Sequence, residues 1–253
     1  MGYLGRKSNI NIDMITQNHS VYYLNDAFKE KHKNLLDYFS LNNIDIEITD
    51  DLKTFENFLK SLSSDERKYT YDETFSCAKA FTADKSSYFC LLLKSNNEII
   101  GTYAARNLDP IIFLENLKSH FNLTNYIENP DNYLPEGQSF NSTLNCFYSG
   151  NQWVKSTYQN KKFDIFLDHL KKNIIFDVIE GNMNFSVHKL KYKNYHLNDL
   201  LYERSEWIGT ITDEYFFIES ETPPTIEDTQ YNLTWVFKDT WQNKHNETKL
   251  LYL

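Results

Sequence analysis

Glycine is scarce in this chain, at 7 of 253 residues. The seven glycines are scattered, and they spell neither G-x-G-x-x-G nor G-x-x-x-x-G-K-[ST]. In those two patterns, glycine lets backbone amides approach the phosphates of a nucleotide. The sequence therefore argues against a glycine-fingerprint dinucleotide fold and against a P-loop NTPase.

Cysteine is also rare, since Cys77, Cys90 and Cys146 form the whole set. Three widely spaced cysteines without a C-x-x-C pair fit buried thiols in a reducing compartment better than a disulfide framework or a zinc site. The seven histidines include no H-E-x-x-H motif, so we expect no metal site. No apolar run approaches the ~18 residues of a membrane helix, and the first residues lack a hydrophobic signal region. We expect a cytoplasmic protein that binds no membrane.

Positive charge is in deficit, because 26 Lys and Arg face 35 Asp and Glu for a net charge of −9. This balance argues against a nucleic-acid partner. Aromatic residues are abundant instead, with 18 Tyr and 18 Phe. They predict an aromatic-rich core in a chain that shows no repeat and no clear linker.

Hydrophobic spacing predicts a mixed order of helices and strands. We predict strands over 44–48, 88–93, 98–105, 142–148, 175–179, 200–218 and 233–237. We predict helices over 25–39, 50–62, 71–81, 109–121, 163–174 and 186–195, and a surface loop over 122–137. We interpret residues 1–43 as an N-terminal helical extension and residues 44–253 as the main domain.

The segment that carries chemistry covers residues 154–167, Val-Lys-Ser-Thr-Tyr-Gln-Asn-Lys-Lys-Phe-Asp-Ile-Phe-Leu. Here the end of a strand turns directly into a helix N-terminus, whose unpaired amides point into the turn and attract anions. Lys161 and Lys162 add positive charge beside these amides. A phosphate or pyrophosphate ligand is the predicted occupant, and a plain strand-to-helix connection with solvated lysines is the alternative.

This segment resembles the acyl-CoA motif of the GNAT superfamily of N-acetyltransferases. That motif runs roughly Val-x-x-x-Tyr-[Arg/Gln]-Gly-x-Gly-x-[Gly/Ala/Ser] and continues into an amphipathic helix. Four residues stand in register with it, namely Val154, Tyr158, Gln159 and Phe163. The family order of strand, two helices, hairpin, strand, coenzyme helix, strand, helix and strand also matches residues 44–218. Three positions depart from the pattern, because Asn160, Lys162 and Asp164 stand where the family has small residues, mostly glycine.

The resemblance implies an α+β fold with a mixed, mostly antiparallel sheet flanked by helices. It implies acyl transfer from acetyl-CoA, or another acyl-CoA, to an amine of a small molecule or a protein, and it is compatible with a homodimer. The rival interpretation is a non-catalytic module of the same fold that has lost coenzyme binding.

The resemblance also implies roles for particular residues. Backbone groups of Trp153, Val154 and Lys155 would bond the pantetheine arm. The turn and helix start would hold the pyrophosphate, through Gln159, Asn160, Lys161, Lys162, Phe163 and Asp164. The family often draws the proton for the leaving thiolate from a tyrosine after the fifth strand, so Tyr192 is the first candidate and Tyr195 the second. The alternative is that both tyrosines only pack. A thiol nucleophile formed by Cys146 and His169 is a weaker possibility.

Overall fold

The computed structural model of this chain describes residues 14–17, 19–63, 75, 88–109, 112, 145–159, 163–189, 204–210 and 230–248. The strands in these residues are β1 Met14–Gln17, β2 His19–Tyr22, β3 Asp45–Thr49, β4 Tyr88–Ser95, β5 Glu98–Asn107, β6 Cys146–Val154, β7 Met183–Lys189, β8 Arg204–Thr210 and β9 Gln230–Phe237. The α-helices are α1 Asp26–Lys31, α2 Lys33–Leu41, α3 Leu52–Ser61, α4 Ser156–Gln159, α5 Phe163–Asn173 and α6 Lys238–Thr248.

All the described strands join one sheet in the order β1-β2-β3-β4-β5-β6-β7-β9-β8. Neighbouring strands run antiparallel, except that β6 and β7 are parallel. A parallel pair needs a crossover connection, and α5 supplies it. The predicted fold class, a mixed and mostly antiparallel sheet flanked by helices, is confirmed.

Each face of the sheet carries its own apolar core, because successive side chains of a strand point to opposite faces. On β4, Phe89 and Leu91 belong to the core beneath α5, whereas Cys90 and Leu92 belong to the core beneath α3. Both cores are rich in aromatic side chains, as the composition predicts. The sheet is thus a two-sided platform with α5 on one face and α3 on the other.

Two elements after residue 170 differ from their predictions. The predicted strand over 175–179 is wrong, because Ile174–Val178 continues α5 as a π-helical turn. A short apolar run fits a buried strand and a buried helix equally well. The predicted helix over 186–195 is also wrong over its described part, because β7 runs to Lys189. The stretch Ser186-Val-His-Lys189 is too short to distinguish the period of a strand from that of a helix.

Several smaller differences concern element ends. The predicted helix over 25–39 is interrupted at His32, and α3, predicted over 50–62, begins at Leu52 after its N-cap Asp51. Strands β1 and β2 and helix α6 were not predicted from the pattern. The predicted helices over 71–81 and 109–121 and the loop over 122–137 lie outside the described residues, apart from Phe75 and Ile112.

The N-terminal helices are tied to the far end of α5. His32 Nε2 lies 2.7 Å from Asp177 Oδ2 in the π-helical turn, and Lys31 Nζ lies 2.8 Å from the same oxygen. Burial alone would raise the pKa of Asp177, but the bonds to His32 and Lys31 lower it to about 2. The contact places α1 and the start of α2 at the C-terminal end of α5.

Asparagine occupies backbone conformations that usually select glycine. Asn43, Asn96, Asn97 and Asn151 have φ angles of 55°, 52°, 65° and 55°. Asparagine tolerates this left-handed region better than most side chains because it is short and bonds locally. The shortage of glycine therefore does not mean a shortage of tight turns.

Candidate functional site

Strands β6 and β7 are parallel neighbours that diverge. Their pairing runs from Cys146↔Met183 to Ser149↔Ser186 and ends there. Both strands nevertheless continue, β6 paired with β5 as far as Val154 and β7 paired with β9 as far as Lys189. We call the Ser149–Ser186 pair the vertex. We call the interval after it, where β6 and β7 no longer pair with each other, the gap.

A β-bulge turns β6 just after the vertex. Ala104 pairs with Gly150 and Thr102 with Trp153, so one residue of β5 faces two residues of β6. The extra residue allows Asn151 to adopt its positive φ, and Thr102 Oγ1 donates to the Asn151 carbonyl at 3.0 Å. A bulge bends and twists a strand, and here it bends β6 beside the gap.

The end of β6 is held against the start of α5 by side-chain bonds. Gln159 Nε2 donates to the Val154 carbonyl at 2.9 Å, and Gln152 Nε2 donates to the Asp164 carbonyl at 2.8 Å. The Tyr158 amide donates to the Lys155 carbonyl at 2.8 Å, which closes the turn into α4. These bonds hold the first turn of α5 at the open end of the gap.

The described candidates for coenzyme binding surround this end of β6. Trp153 meets Phe58 of α3 with ring centroids 5.4 Å apart, on the face opposite α5. Val154 and Phe163 are buried in the core beneath α5. The Lys155 amide donates to the Ile100 carbonyl at 2.9 Å, and its ammonium pairs with Glu98 at 2.5 Å.

The other predicted site residues cannot be placed. Five of them lie outside the described residues, namely Asn160, Lys161, Lys162, Tyr192 and Tyr195. Their roles stay predictions. Cys146 and His169, the proposed thiol nucleophile and its partner, lie on opposite faces of the sheet. Cys146 is in the core beneath α3, whereas His169 packs on Trp241 in the core beneath α5. Burial raises the pKa of the Cys146 thiol to about 12, which disfavours a thiolate nucleophile there.

Asp164 lies in the first turn of α5, in the segment to which the resemblance assigns the pyrophosphate. Burial raises the pKa of this carboxyl above its ordinary value, and the Asp168 carboxylate raises it further, although backbone amides oppose both effects. As the pH falls, Asp164 therefore loses its negative charge at a higher pH than an ordinary carboxylate does.

We predict that Asp164→Asn stabilises the protein at pH 7 and strengthens its binding of CoA severalfold. The folded state disfavours the charged form, so the penalty is absent below the ordinary carboxyl pKa and grows as pH rises through the raised pKa. Thermal melts from pH 4 to 8 should show two curves that converge on acidification. The exposed Asp37 offers a matched control, since Asp37→Asn should change neither property. Equal wild-type and Asp164→Asn melts at every pH would contradict this electrostatic interpretation.

An ionic cluster buried under α5 was missed by the sequence pattern. We give this name to Asp168, Lys171, Lys172 and Tyr103, none more than 3% exposed. Lys171 Nζ lies 2.7 Å from Asp168 Oδ1 and Lys172 Nζ bonds Asp168 Oδ2, while the Tyr103 hydroxyl donates to Asp168 Oδ1 at 2.9 Å. Helix α6 adds the Trp241 ring to the surroundings of the cluster, with the ring centroid 5.3 Å from Lys172 Nζ.

The cluster places two amines around one carboxylate. Burial alone would raise the pKa of Asp168, but the two lysines outweigh it and hold that pKa well below its usual range. Burial lowers the pKa of Lys171 despite the neighbouring carboxylate. The fold tolerates these buried groups because the Asp168 carboxylate is ionised next to two lysines, and because Lys171 loses its proton more readily than an exposed lysine does.

The described parts of the chain hold neither a cluster of metal-ligand side chains nor a helix that could span a membrane. No group of three His, Cys, Asp or Glu side chains there could hold a metal ion. Within the same ranges, no helix is long and apolar enough to cross a membrane.

The chain matches no protein-family model and no curated protein. It is similar to a solved chimera of the spermidine N-acetyltransferase SpeG from Vibrio cholerae and hSSAT, at 12% identity and a TM-score of 0.44, over 79% of this chain and 99% of that one. It is also similar to FeeM, an N-acyl amino acid synthase from uncultured soil microbes, at 10% identity and a TM-score of 0.45, over 79% and 94%. BjaI, a CoA-dependent acyl-homoserine lactone synthase, is similar at 7% identity and a TM-score of 0.38, over 87% and 85%.

Proposed function

We propose that this chain is an acyl-CoA-dependent N-acyltransferase, with acetyl-CoA as the donor and an amine of a small molecule or a protein as the acceptor. The observation that carries the proposal is the divergence of β6 from β7 directly before the first turn of α5. The bond from Gln152 to the Asp164 carbonyl holds the first turn of α5 beside the unpaired end of β6.

The gap and the first turn of α5 fit the two ends of CoA. The pantetheine arm contains amide groups, and an extended amide chain pairs well with strand backbone. Trp153 and Val154 end β6 beyond its last pairing with β7 and Lys155 follows directly, so we assign the pantetheine arm to the backbone of these three residues. The pyrophosphate carries negative charge, and helix-start amides attract such groups. We assign it to the turn over 159–164, with Lys161 and Lys162 as additional cations.

The proposed reaction is direct transfer from a thioester to an amine. The neutral amine nitrogen attacks the thioester carbonyl carbon, forming the C–N bond as the carbonyl electrons move to oxygen. Collapse of this intermediate breaks the C–S bond, the nitrogen loses a proton, and the thiolate gains one to become the free thiol of CoA. We assign delivery of the thiol proton to Tyr192, with Tyr195 as the second choice.

A thermal-shift titration tests the binding step. Ligand present at about a hundred times its dissociation constant stabilises a protein by about 2.7 kcal/mol, which raises the melting temperature of a chain this size by roughly 5–10 °C. We expect such a shift with acetyl-CoA and with CoA, and none with adenosine or free pantetheine at the same concentration. No shift with millimolar CoA would remove the enzyme proposal and leave the non-catalytic module.

A further inference from the structure

The vertex between β6 and β7 is closed on the α5 face by hydrogen-bonded polar side chains. We call Ser149, Asn184, Ser186 and Thr234 the vertex cluster, and none of them is more than 2% exposed. Asn184 Nδ2 donates to Ser149 Oγ at 2.6 Å and to the Phe147 carbonyl at 2.9 Å. Ser186 Oγ donates to the Ser149 carbonyl at 2.6 Å, and Thr234 Oγ1 donates to the Ser186 carbonyl at 3.2 Å.

The opposite face of the vertex is closed by aromatic rings. Tyr148 meets Phe185 with centroids 5.4 Å apart and stacks on Phe75 at 5.7 Å. Tyr148 and Phe185 precede the two vertex residues on β6 and β7, so their rings stand just below the gap. A group that enters the gap and reaches the vertex therefore meets a wall on each face of the sheet.

We propose that these two walls limit the acyl donor to short acyl groups, and that Asn184 is the main determinant of that limit. The proposal rests on the proposed function, since it concerns the donor in the same gap. A long aliphatic chain at the vertex would have to displace Asn184 and Ser186 from their bonds. Each lost bond weakens binding about fivefold, and by more where a buried partner stays unsatisfied. An acetyl group ends before this point is reached.

Asn184 is the residue whose truncation should most readily admit a longer acyl group. Its Oδ1 is buried and has no hydrogen-bond partner among the described residues, so the side chain already carries an unsatisfied acceptor. Truncation to alanine removes that acceptor along with the two donated bonds. It leaves a space next to Ser149, directly at the vertex.

The experiment is a series of calorimetric titrations with CoA and its acetyl, butyryl and octanoyl thioesters, below their micellar concentrations. Wild-type protein should bind acetyl-CoA at least as tightly as CoA, and octanoyl-CoA about tenfold more weakly than acetyl-CoA, which corresponds to about 1.4 kcal/mol. Asn184→Ala should bind butyryl-CoA about fivefold more tightly than wild type does. Asn173→Ala is the matched control, because it removes an equally buried asparagine side chain at the C-terminal end of α5, outside the vertex cluster, and it should keep the wild-type order.

Each outcome decides the proposal. Equal affinity of wild-type protein for octanoyl-CoA and acetyl-CoA overturns it even if Asn184→Ala fails to fold, because the wild-type series stands alone. An Asn184→Ala variant that melts cooperatively and keeps the wild-type order overturns the assignment to Asn184. Failure of every compound including CoA removes the proposed function and this inference together, and binding of CoA itself distinguishes the two failures.

Discussion

Asp168→Asn should destabilise the protein by about 3–5 kcal/mol, because removing one partner of a buried ion cluster leaves charge without its counter-ion. The substitution keeps the shape of the side chain but withdraws the carboxylate from Lys171 and Lys172, both of which are fully buried. Urea denaturation at pH 7 measures the loss directly. A loss below about 1 kcal/mol would contradict our account of the cluster.

Lys171→Met provides the contrasting variant. It leaves Asp168 and Lys172 as a buried pair of opposite charges and replaces a buried amine with an apolar side chain of similar length, so we expect a smaller loss of stability than for Asp168→Asn. Its pH dependence is informative as well. Because burial lowers the pKa of Lys171, the unfolded chain binds more protons in the window below the ordinary lysine pKa, and wild-type stability should rise with pH there. Lys171→Met should lose that rise.

The double substitution Lys161→Glu with Lys162→Glu should weaken CoA binding by about a hundredfold or more. Two unit charges about 4 Å apart interact by about 1 kcal/mol even in water. The double substitution exchanges two cations for two anions beside the doubly charged pyrophosphate, so several such interactions change from attraction to repulsion. Calorimetric titration at low salt measures the loss, and added salt should shrink it. The two lysines follow α4 and precede α5 in the sequence, and the prediction is made from that position.

A matched double variant separates local charge from net charge. Lys29→Glu with Lys33→Glu makes the same change on exposed residues of α1 and α2, which lie at the opposite end of α5 through the His32–Asp177 contact. It should bind CoA as the wild type does. Equal weakening by both pairs would show that only overall charge matters, and an unchanged affinity of the Lys161 and Lys162 variant would move the anion site elsewhere.

The fold class was predictable because the long periodic elements carry strong signals. The β4–β5 hairpin has two apolar runs around Asn96-Asn97, and α5 has a clear apolar stripe at Phe163, Phe166 and Leu170. Turn residues and period together determine such elements. The elements between residues 174 and 189 were predicted wrongly for the opposite reason. The apolar run at 174–179 and the short stretch at 186–189 each fit both a helix and a strand.

The chemistry of the site was only partly predictable. Local sequence identifies the turn from Val154 into α5, because the strand, the polar turn and the helix are contiguous. The ionic cluster and the vertex cluster depend on residues far apart in the chain, such as Tyr103 with Asp168 and Ser149 with Asn184. A single sequence shows no sign of those contacts. A charged i, i+3, i+4 triplet looks the same on a solvated face as under a covering helix.

Hydrogen–deuterium exchange with and without CoA most directly tests whether the gap between β6 and β7 is the coenzyme site. We predict slower exchange in peptides that cover residues 150–164, by about tenfold or more at saturating CoA, since backbone amides that bond a ligand exchange only after its release. Peptides from β8 and β1 should be unaffected. Protection confined to other segments, with none across 150–164, would contradict the account.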